Sequence, residues 1–211
     1  MNVSPAKENI LKKIRKALSN STPLPFPQSE GSSNVYQPSQ QDLGLEFAQR
    51  FTNLKGKFVF CENTSELVSQ LNQVITVNKW DKIFCKEEGL RKTLAENKFD
   101  NYSHNDLPTC DTAITSCEWL VARTGSIVMS TAQESGRTVS VYAPVHICVA
   151  YTSQLVYDVK DALLKAREKY SGNFPSLITF ATGPSRTADI EKTLVVGVHG
   201  PKEVYVFLVD Q

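Results

Sequence analysis

The sequence predicts an α/β fold: a single domain over residues 42–211 with a mostly parallel, mixed central sheet flanked by helices, preceded by an N-terminal helix and a Ser/Pro-rich arm over residues 1–41. Three observations carry this. Short apolar, β-branched runs alternate with helix-period segments through the first half of the body, the pattern of parallel strands joined by crossover helices. Further strand-like runs crowd the second half with only a few residues between some of them, which adds antiparallel pairing. Residues 19–41 are rich in Ser, Pro, Gln and Asn, with prolines at Pro23, Pro25, Pro27 and Pro38, and this connector separates the first helix from the body.

Taken in order, Ser4-Pro5 opens a helix on which Ile10, Leu11, Ile14, Ala17 and Leu18 form one apolar stripe on an otherwise basic surface. The stripe holds no Trp or Phe, so it suits docking on protein, in cis or on a partner, better than a membrane. A second helix starts near Asp42 and lines up Leu43, Phe47, Phe51 and Leu54. Residues 57–61 read as a strand, and Asn63 with Glu66 forms a capping box for a helix carrying Leu67, Val68, Leu71, Val74 and Ile75. Residues 82–85 read as a strand, 87–96 as a helix and 112–115 as a strand. Residues 118–122 are expected to be a short helical segment, with 127–130, 138–142 and 146–151 as strands. Residues 159–170 form a helix that turns Ala162, Leu163 and Ala166 inward, and 177–180 and 204–209 are the last strands.

The 211 residues can bury a full core, and 41% hydrophobic with 21% charged residues are globular values. A net charge of +1 supplies no basic stripe, so nucleic acid is not the expected partner. No apolar run is long enough to cross a membrane, and no signal pattern stands at Met1 to Ala17, so the expected location is cytoplasmic. Five cysteines without metal spacing read as reduced thiols, so neither a metal site nor a cofactor is expected; Cys61, Cys85 and Cys148 belong to core strands, and Cys110 and Cys117 to a turn nearer solvent.

The chemistry-bearing stretch is Ala181 to Pro201. Gly183-Pro184 ends a strand, and Ser185-Arg186-Thr187 then offers hydroxyls, a guanidinium and backbone N–H groups where a helical turn can begin, the ingredients of an anion site. His199 stands between Gly197 and Gly200-Pro201, where the backbone is free to approach a ligand. Thr124-Gly125 and Pro144-Val145-His146 are loops that can converge with it at strand ends. The substrate-binding set is therefore Thr124, Gly125, Gly183, Ser185, Arg186, Thr187 and His199. His199, His146 and Glu118 are the weaker acid/base candidates. His146, beside proline, also reads as a histidine bonded to backbone, and Glu118 as the solvent-facing residue of its short helix.

The run from Thr182 to Glu191, followed by Gly197-Val198-His199-Gly200-Pro201, resembles the signature of the LUD-domain family, and Thr124-Gly125-Ser126 and Pro144-Val145-His146-Ile147 match it as well. The resemblance spans roughly Phe47 to the C-terminus. It implies a fold like that of the sugar-phosphate isomerase and CoA-transferase superfamily and a role in oxidising L-lactate to pyruvate. In such systems these chains act with an iron–sulfur partner and a cysteine-rich partner. The ferredoxin-type cysteine run of the iron–sulfur partner is missing from this sequence, so the resemblance implies a subunit without its own cluster that binds a small anionic metabolite, with a homo-oligomer also open. A free-standing enzyme acting on a sugar phosphate or acyl-CoA, with Glu118 as base or nucleophile, and a small-molecule sensor remain the alternatives.

Overall fold

The computed structural model describes residues 5–19, 41–102, 106–188, 194–197 and 199–210, and the chain divides into two units, residues 1–37 and 38–211. The first unit supplies helix α1 (Pro5–Ser19), on which Ile10 and Ile14 are exposed. Its expected cap, Ser4, and the connector up to residue 40 lie outside the described residues.

In the second unit, α2 (Leu43–Asn53) starts where the Asp42 carboxylate accepts the Leu45 N–H at 3.0 Å. It buries Phe47 and Phe51, whose rings stack 5.4 Å apart. The expected alternation follows in β1 (Lys57–Cys61), α3 (Thr64–Asn78), β2 (Ile83–Phe84), α4 (Glu88–Glu96) and β3 (Thr112–Thr115). Asn63 caps α3 by accepting the Glu66 N–H at 2.9 Å, while the Glu66 carboxylate reaches one residue further back, to the Glu62 N–H. Next come β4 (Trp119–Val121), β5 (Ser126–Ser130), α5 (Val139–Tyr142), β6 (Val145–Tyr151), β7 (Leu155–Val156) and α6 (Val159–Lys169). The unit closes with β8 (Ile178–Ala181), β9 (Arg186–Ala188), β10 (Leu194–Val196) and β11 (Glu203–Val209).

The expected single mixed sheet is in fact two sheets and a hairpin. Five strands pair in the order β1-β11-β6-β3-β2, every pair parallel. A second sheet, β7-β4-β5-β8, is antiparallel at β4/β5 and β5/β8 and parallel at β4/β7, and β9 pairs with β10 in an antiparallel hairpin. The period of two along β11 shows how the layers are held together: Tyr205, Phe207 and Val209 enter one core with α3 and α4, and Val204, Val206 and Leu208 enter another with Phe47, Phe51, Leu120 and Ile127. The five-stranded sheet is thus covered by helices on one face and by α2 with the second sheet on the other. Helix α6 closes the far side, where Ala162 and Ala166 meet Trp119, Val121 and Val128.

Three local expectations change for physical reasons. Residues 118–122 contain a strand, not a helix, because Trp119 and Val121 point to the α6 side and Leu120 to the sheet side, and a run buried on both faces carries no periodicity that separates helix from strand. Residues 138–142 hold the short helix α5, which buries Val139 against Ala113 and leaves Tyr142 in solvent, an asymmetry that strand alternation does not give. Residues 185–187 lead into β9 instead of starting a helix. The Ser185 N–H, expected to be available to an anion, is used by the Pro201 carbonyl at 2.9 Å.

Candidate functional site

In a parallel sheet every strand ends on the same edge, and that edge is where open α/β sheets place ligands. Here the carboxyl ends of β2, β3 and β6 lead into Glu87, into Ser116 and Glu118, and into Tyr151. Together with Gly89, Leu90 and Thr93 of α4, Ala132 to Glu134 after β5, and Lys169 and Tyr170 at the end of α6, they line a cavity of about 570 Å³.

Glu118 is the organising group of this crevice. Its side chain is 1% exposed, and its carboxylate is filled with donors: Oε1 accepts from the Ser130 hydroxyl at 2.6 Å and from the Tyr170 hydroxyl, and Oε2 from Lys169 Nζ at 2.6 Å. Burial works against ionisation of Glu118, but the hydrogen bonds from Lys169, Ser130 and Tyr170 outweigh it and hold its pKa below the ordinary carboxylate value. The partners respond in kind. Burial lowers and the Glu118 bond raises Lys169, with a net upward shift, and burial followed by Glu118 raises Tyr170. Lys169 also lies over the rings of Trp119 and Tyr170, 5.7 and 5.3 Å from their centroids. Glu118 is therefore neither solvent-facing nor on a helix, which corrects the sequence reading. A carboxylate so fully bonded is a weak base and a weak nucleophile, and its action is to fix Lys169 and Tyr170 at the wall of the crevice.

A second buried carboxylate lines the same cavity. Glu87 is 7% exposed, and its Oε2 accepts the Ser116 N–H at 2.9 Å. Gln133 bridges the floor, donating to Ser116 Oγ at 3.1 Å while its carbonyl accepts the Ser130 N–H at 2.9 Å. Glu134 accepts the Glu88 N–H at 2.7 Å in the first turn of α4, where a negative charge complements the helix dipole.

The loops singled out in the sequence lie elsewhere. Pro144 precedes β6 and Gly197 to Pro201 precede β11, so both sit at the amino edge of the parallel sheet, opposite the crevice. There His199 is exposed and lines a separate cavity of about 480 Å³ with Tyr142, Pro144 and Lys202. His146 is inside β6, 1% exposed, with Nε2 2.8 Å from the Thr115 hydroxyl, and burial pushes its pKa down to about 4. That is a neutral core histidine, bonded to a side-chain hydroxyl where the sequence reading has a backbone partner.

Thr124, Gly125, Gly183 and Arg186 are gathered at the C-terminal end of α2. Gly125 has φ +63° and a Cβ there would lie 2.8 Å from the Phe51 nitrogen; Gly183 has φ +82° and its Cβ would lie 2.9 Å from the Leu54 carbonyl oxygen. Both glycines thus permit loops to press against the helix end. Arg186 donates from Nη2 to the Leu54 carbonyl, a cation at the negative end of the helix. Thr124 bonds to Ser126 at 2.7 Å and Ser126 to Thr182 at 2.8 Å, a hydroxyl chain that ties β5 to the end of β8. Ser185 joins the hairpin to the loop before β11, and Thr187 pairs with Val195. The cavity that His199 lines does not include Arg186.

The residues that build the crevice, Glu87, Ser116, Ser130, Gln133, Lys169 and Tyr170, were absent from the sequence-derived set. A usable signal was present, since Glu87 and Glu118 each follow a strand-like run by two or three residues. The cysteines also need correcting: all five are free and buried, Cys110 and Cys117 being 3% and 4% exposed. Cys148 lies against Cys117, and that hydrogen bond with complete burial holds its thiol well above the ordinary range.

A parallel sheet covered by helices on one face and by a second mixed sheet on the other, with a charged crevice at its strand ends, defines a two-sheet α/β domain. The chain belongs to the LUD domain family, whose pattern it matches over residues 45–209. It is 30% identical over 187 residues to a protein of Anoxybacillus flavithermus named Lactate utilization protein C, covering 82% of this chain and 83% of that one. An uncharacterized protein of Neisseria meningitidis is 28% identical over 54% of this chain and 48% of its own length, so this match spans about half of that relative. In fold, the chain resembles the crystal structure of a DUF162 family protein from Deinococcus radiodurans with a TM-score of 0.58 at 17% identity, over 82% of this chain and 99% of the other.

Proposed function

We propose that this chain serves L-lactate utilisation as a component of the kind named Lactate utilization protein C, recognising a small metabolite in the carboxyl-edge crevice and leaving redox chemistry to partner subunits that hold the iron–sulfur clusters. The role is supported by the likeness to the Anoxybacillus protein of that name, which runs over most of both chains. The observation that carries the choice of site is Glu118, a carboxylate buried at a strand end and bonded to a lysine whose side chain is 54% exposed toward the cavity rim. Glu118 takes one of the three Lys169 ammonium hydrogens, which leaves two donors for an oxygen of the metabolite. Tyr170, its hydroxyl given to Glu118, supplies a rigid wall. Both residues act as positioned binding groups and Glu118 acts through them.

The test is growth on L-lactate as sole carbon source in a strain lacking this chain. Complementation by the wild-type chain and loss of growth with Lys169→Met, which keeps much of the aliphatic stem and removes the ammonium, is the expected result. Full growth with Lys169→Met rejects the crevice as the site. Co-purification with an iron–sulfur protein supports the subunit role, whereas lactate or acyl-group turnover by the isolated chain replaces it with a free-standing enzyme.

A further inference from the structure

We infer that the carboxyl-edge crevice takes an uncharged or cationic ligand rich in hydrogen-bond donors, of the amino-alcohol or polyol class, anchored by Glu87. The inference rests on reading the crevice as the metabolite site and adds the chemistry of what enters it. Glu87 lines the cavity and is more than nine-tenths buried, yet only half of its carboxylate is in use. Oε2 holds the Ser116 N–H, and Oε1 is a buried acceptor with no hydrogen-bond partner. Buried acceptors in native folds are almost always satisfied, because leaving one bare carries the desolvation penalty of the group without its return. A ligand hydroxyl or ammonium hydrogen donated to Oε1 satisfies that acceptor.

The charges on the wall select the same class. Glu118 and Lys169, 2.6 Å apart, cancel each other, which leaves Glu87 and Glu134 as an excess of negative charge around the cavity. A free carboxylate such as lactate or pyruvate meets repulsion from Glu87, whereas a donor meets an acceptor. Metal ions are not the natural occupant, since among the described residues no three carboxylate, thiolate or imidazole groups converge in a way that could hold one. The volume of about 570 Å³ falls within the range of cavities that enclose small organic molecules. The ligand therefore presents donors to Glu87 and a neutral oxygen to the Lys169 ammonium across the crevice.

Glu87→Gln tests this with little disturbance of the fold. Its amide carbonyl keeps the Ser116 N–H, and its NH₂ turns the bare position from acceptor to donor. With 2-aminoethanol and myo-inositol as donor probes and L-lactate and pyruvate as anionic ones, binding is read by saturation-transfer NMR and by shifts in melting temperature at millimolar concentration. The wild-type chain should bind a donor probe and neither anion; Glu87→Gln should melt no lower than wild type and bind the donor about tenfold or more weakly. Failure of both donor probes to bind, preference of the wild-type chain for the anions, or undiminished donor binding by Glu87→Gln overturns the inference. If Lys169→Met grows normally on lactate while the donor probes still bind through Glu87, the functional reading fails and the ligand class stands. If Lys169→Met abolishes growth but the probes fail, the ligand class alone is lost.

Discussion

The two edges of the parallel sheet are made by the same strands and have opposite characters. At the carboxyl edge, β2 and β3 run out into glutamates that are pulled inside, Glu118 filled with donors and Glu87 held by the Ser116 N–H. At the amino edge, the turns into β6 and β11 carry glycine, proline and an exposed histidine, and their polar backbone groups bond mainly to each other, as in the Lys202 N–H to the Pro144 carbonyl at 2.8 Å. Punctuation rich in glycine and proline marks where the backbone has to turn tightly. The carboxyl edge carries a different mark, a charge kept where burial is costly and held by partners from β5 and the end of α6.

The comparison is broken most directly at Glu118. Replacing it by Ala removes the acceptor for Ser130, Tyr170 and Lys169 together and should cost about 3 kcal/mol of stability, the lower end for a broken buried pair because Lys169 is half exposed and can turn to water. Denaturant unfolding of Glu118→Ala against His199→Ala reads the two edges side by side. The sign with pH follows from the shifts. Because the Glu118 pKa is depressed in the fold, its contribution is complete above the ordinary carboxylate value of roughly 4.3 and fades as pH falls through the lower folded value. Lys169 is raised, so its share is complete below roughly 10.4 and fades only as pH climbs through its folded value.

Next in size is an acid limb set by His146. The folded state keeps this buried imidazole neutral down to about pH 4, whereas the unfolded chain takes up a proton near its ordinary value of roughly 6.5. Between those values the unfolded state binds more protons, so stability rises with pH, and acidification should remove on the order of 3 kcal/mol. His146→Gln, able to keep a hydrogen bond to Thr115, should flatten this part of the curve of unfolding free energy against pH. An unchanged slope in that variant would mean that other groups set the acid limb.

A smaller effect belongs to the helix-end corner. Gly183→Ala forces a Cβ toward the Leu54 carbonyl at a positive φ and should lower stability by about 1–3 kcal/mol without touching the crevice. A variant as stable as wild type would show that the corner yields, and that Gly183 is held there for some other reason.

These contrasts also explain what the sequence revealed. The alternation from Lys57 to Thr115 is legible because its helices bury a defined face, Leu67, Leu71 and Ile75 on α3 and Leu90 and Leu94 on α4, and Asn63 caps α3. Trp119 to Val121 was not, because a strand between two cores is apolar throughout. Glu118 was misjudged for the same reason: its Trp-Leu-Val neighbours imitate a helix, and nothing local announces a lysine and a tyrosine 51 and 52 residues later. At Gly125 and Gly183 a left-handed glycine beside a helix end and one beside a ligand have the same sequence appearance.

The least disruptive change is the one that chooses between the edges. His199 is exposed, so neither His199→Gln nor His199→Ala removes a buried contact, and both should unfold within about 0.5 kcal/mol of wild type. If the crevice is the site, both variants also sustain growth on lactate, because His199 stands at the amino edge with Tyr142, Pro144 and Lys202 and reaches none of the groups around Glu118. If the amino-edge cavity binds the metabolite instead, His199 and Lys202 are the groups able to meet an anion there, and both variants lose growth while staying folded. Reading His199→Ala beside Lys169→Met in the same growth assay makes the outcome a direct contest between the two edges, with the melting temperature of each variant measured alongside because Lys169→Met leaves the buried Glu118 carboxylate without its cation.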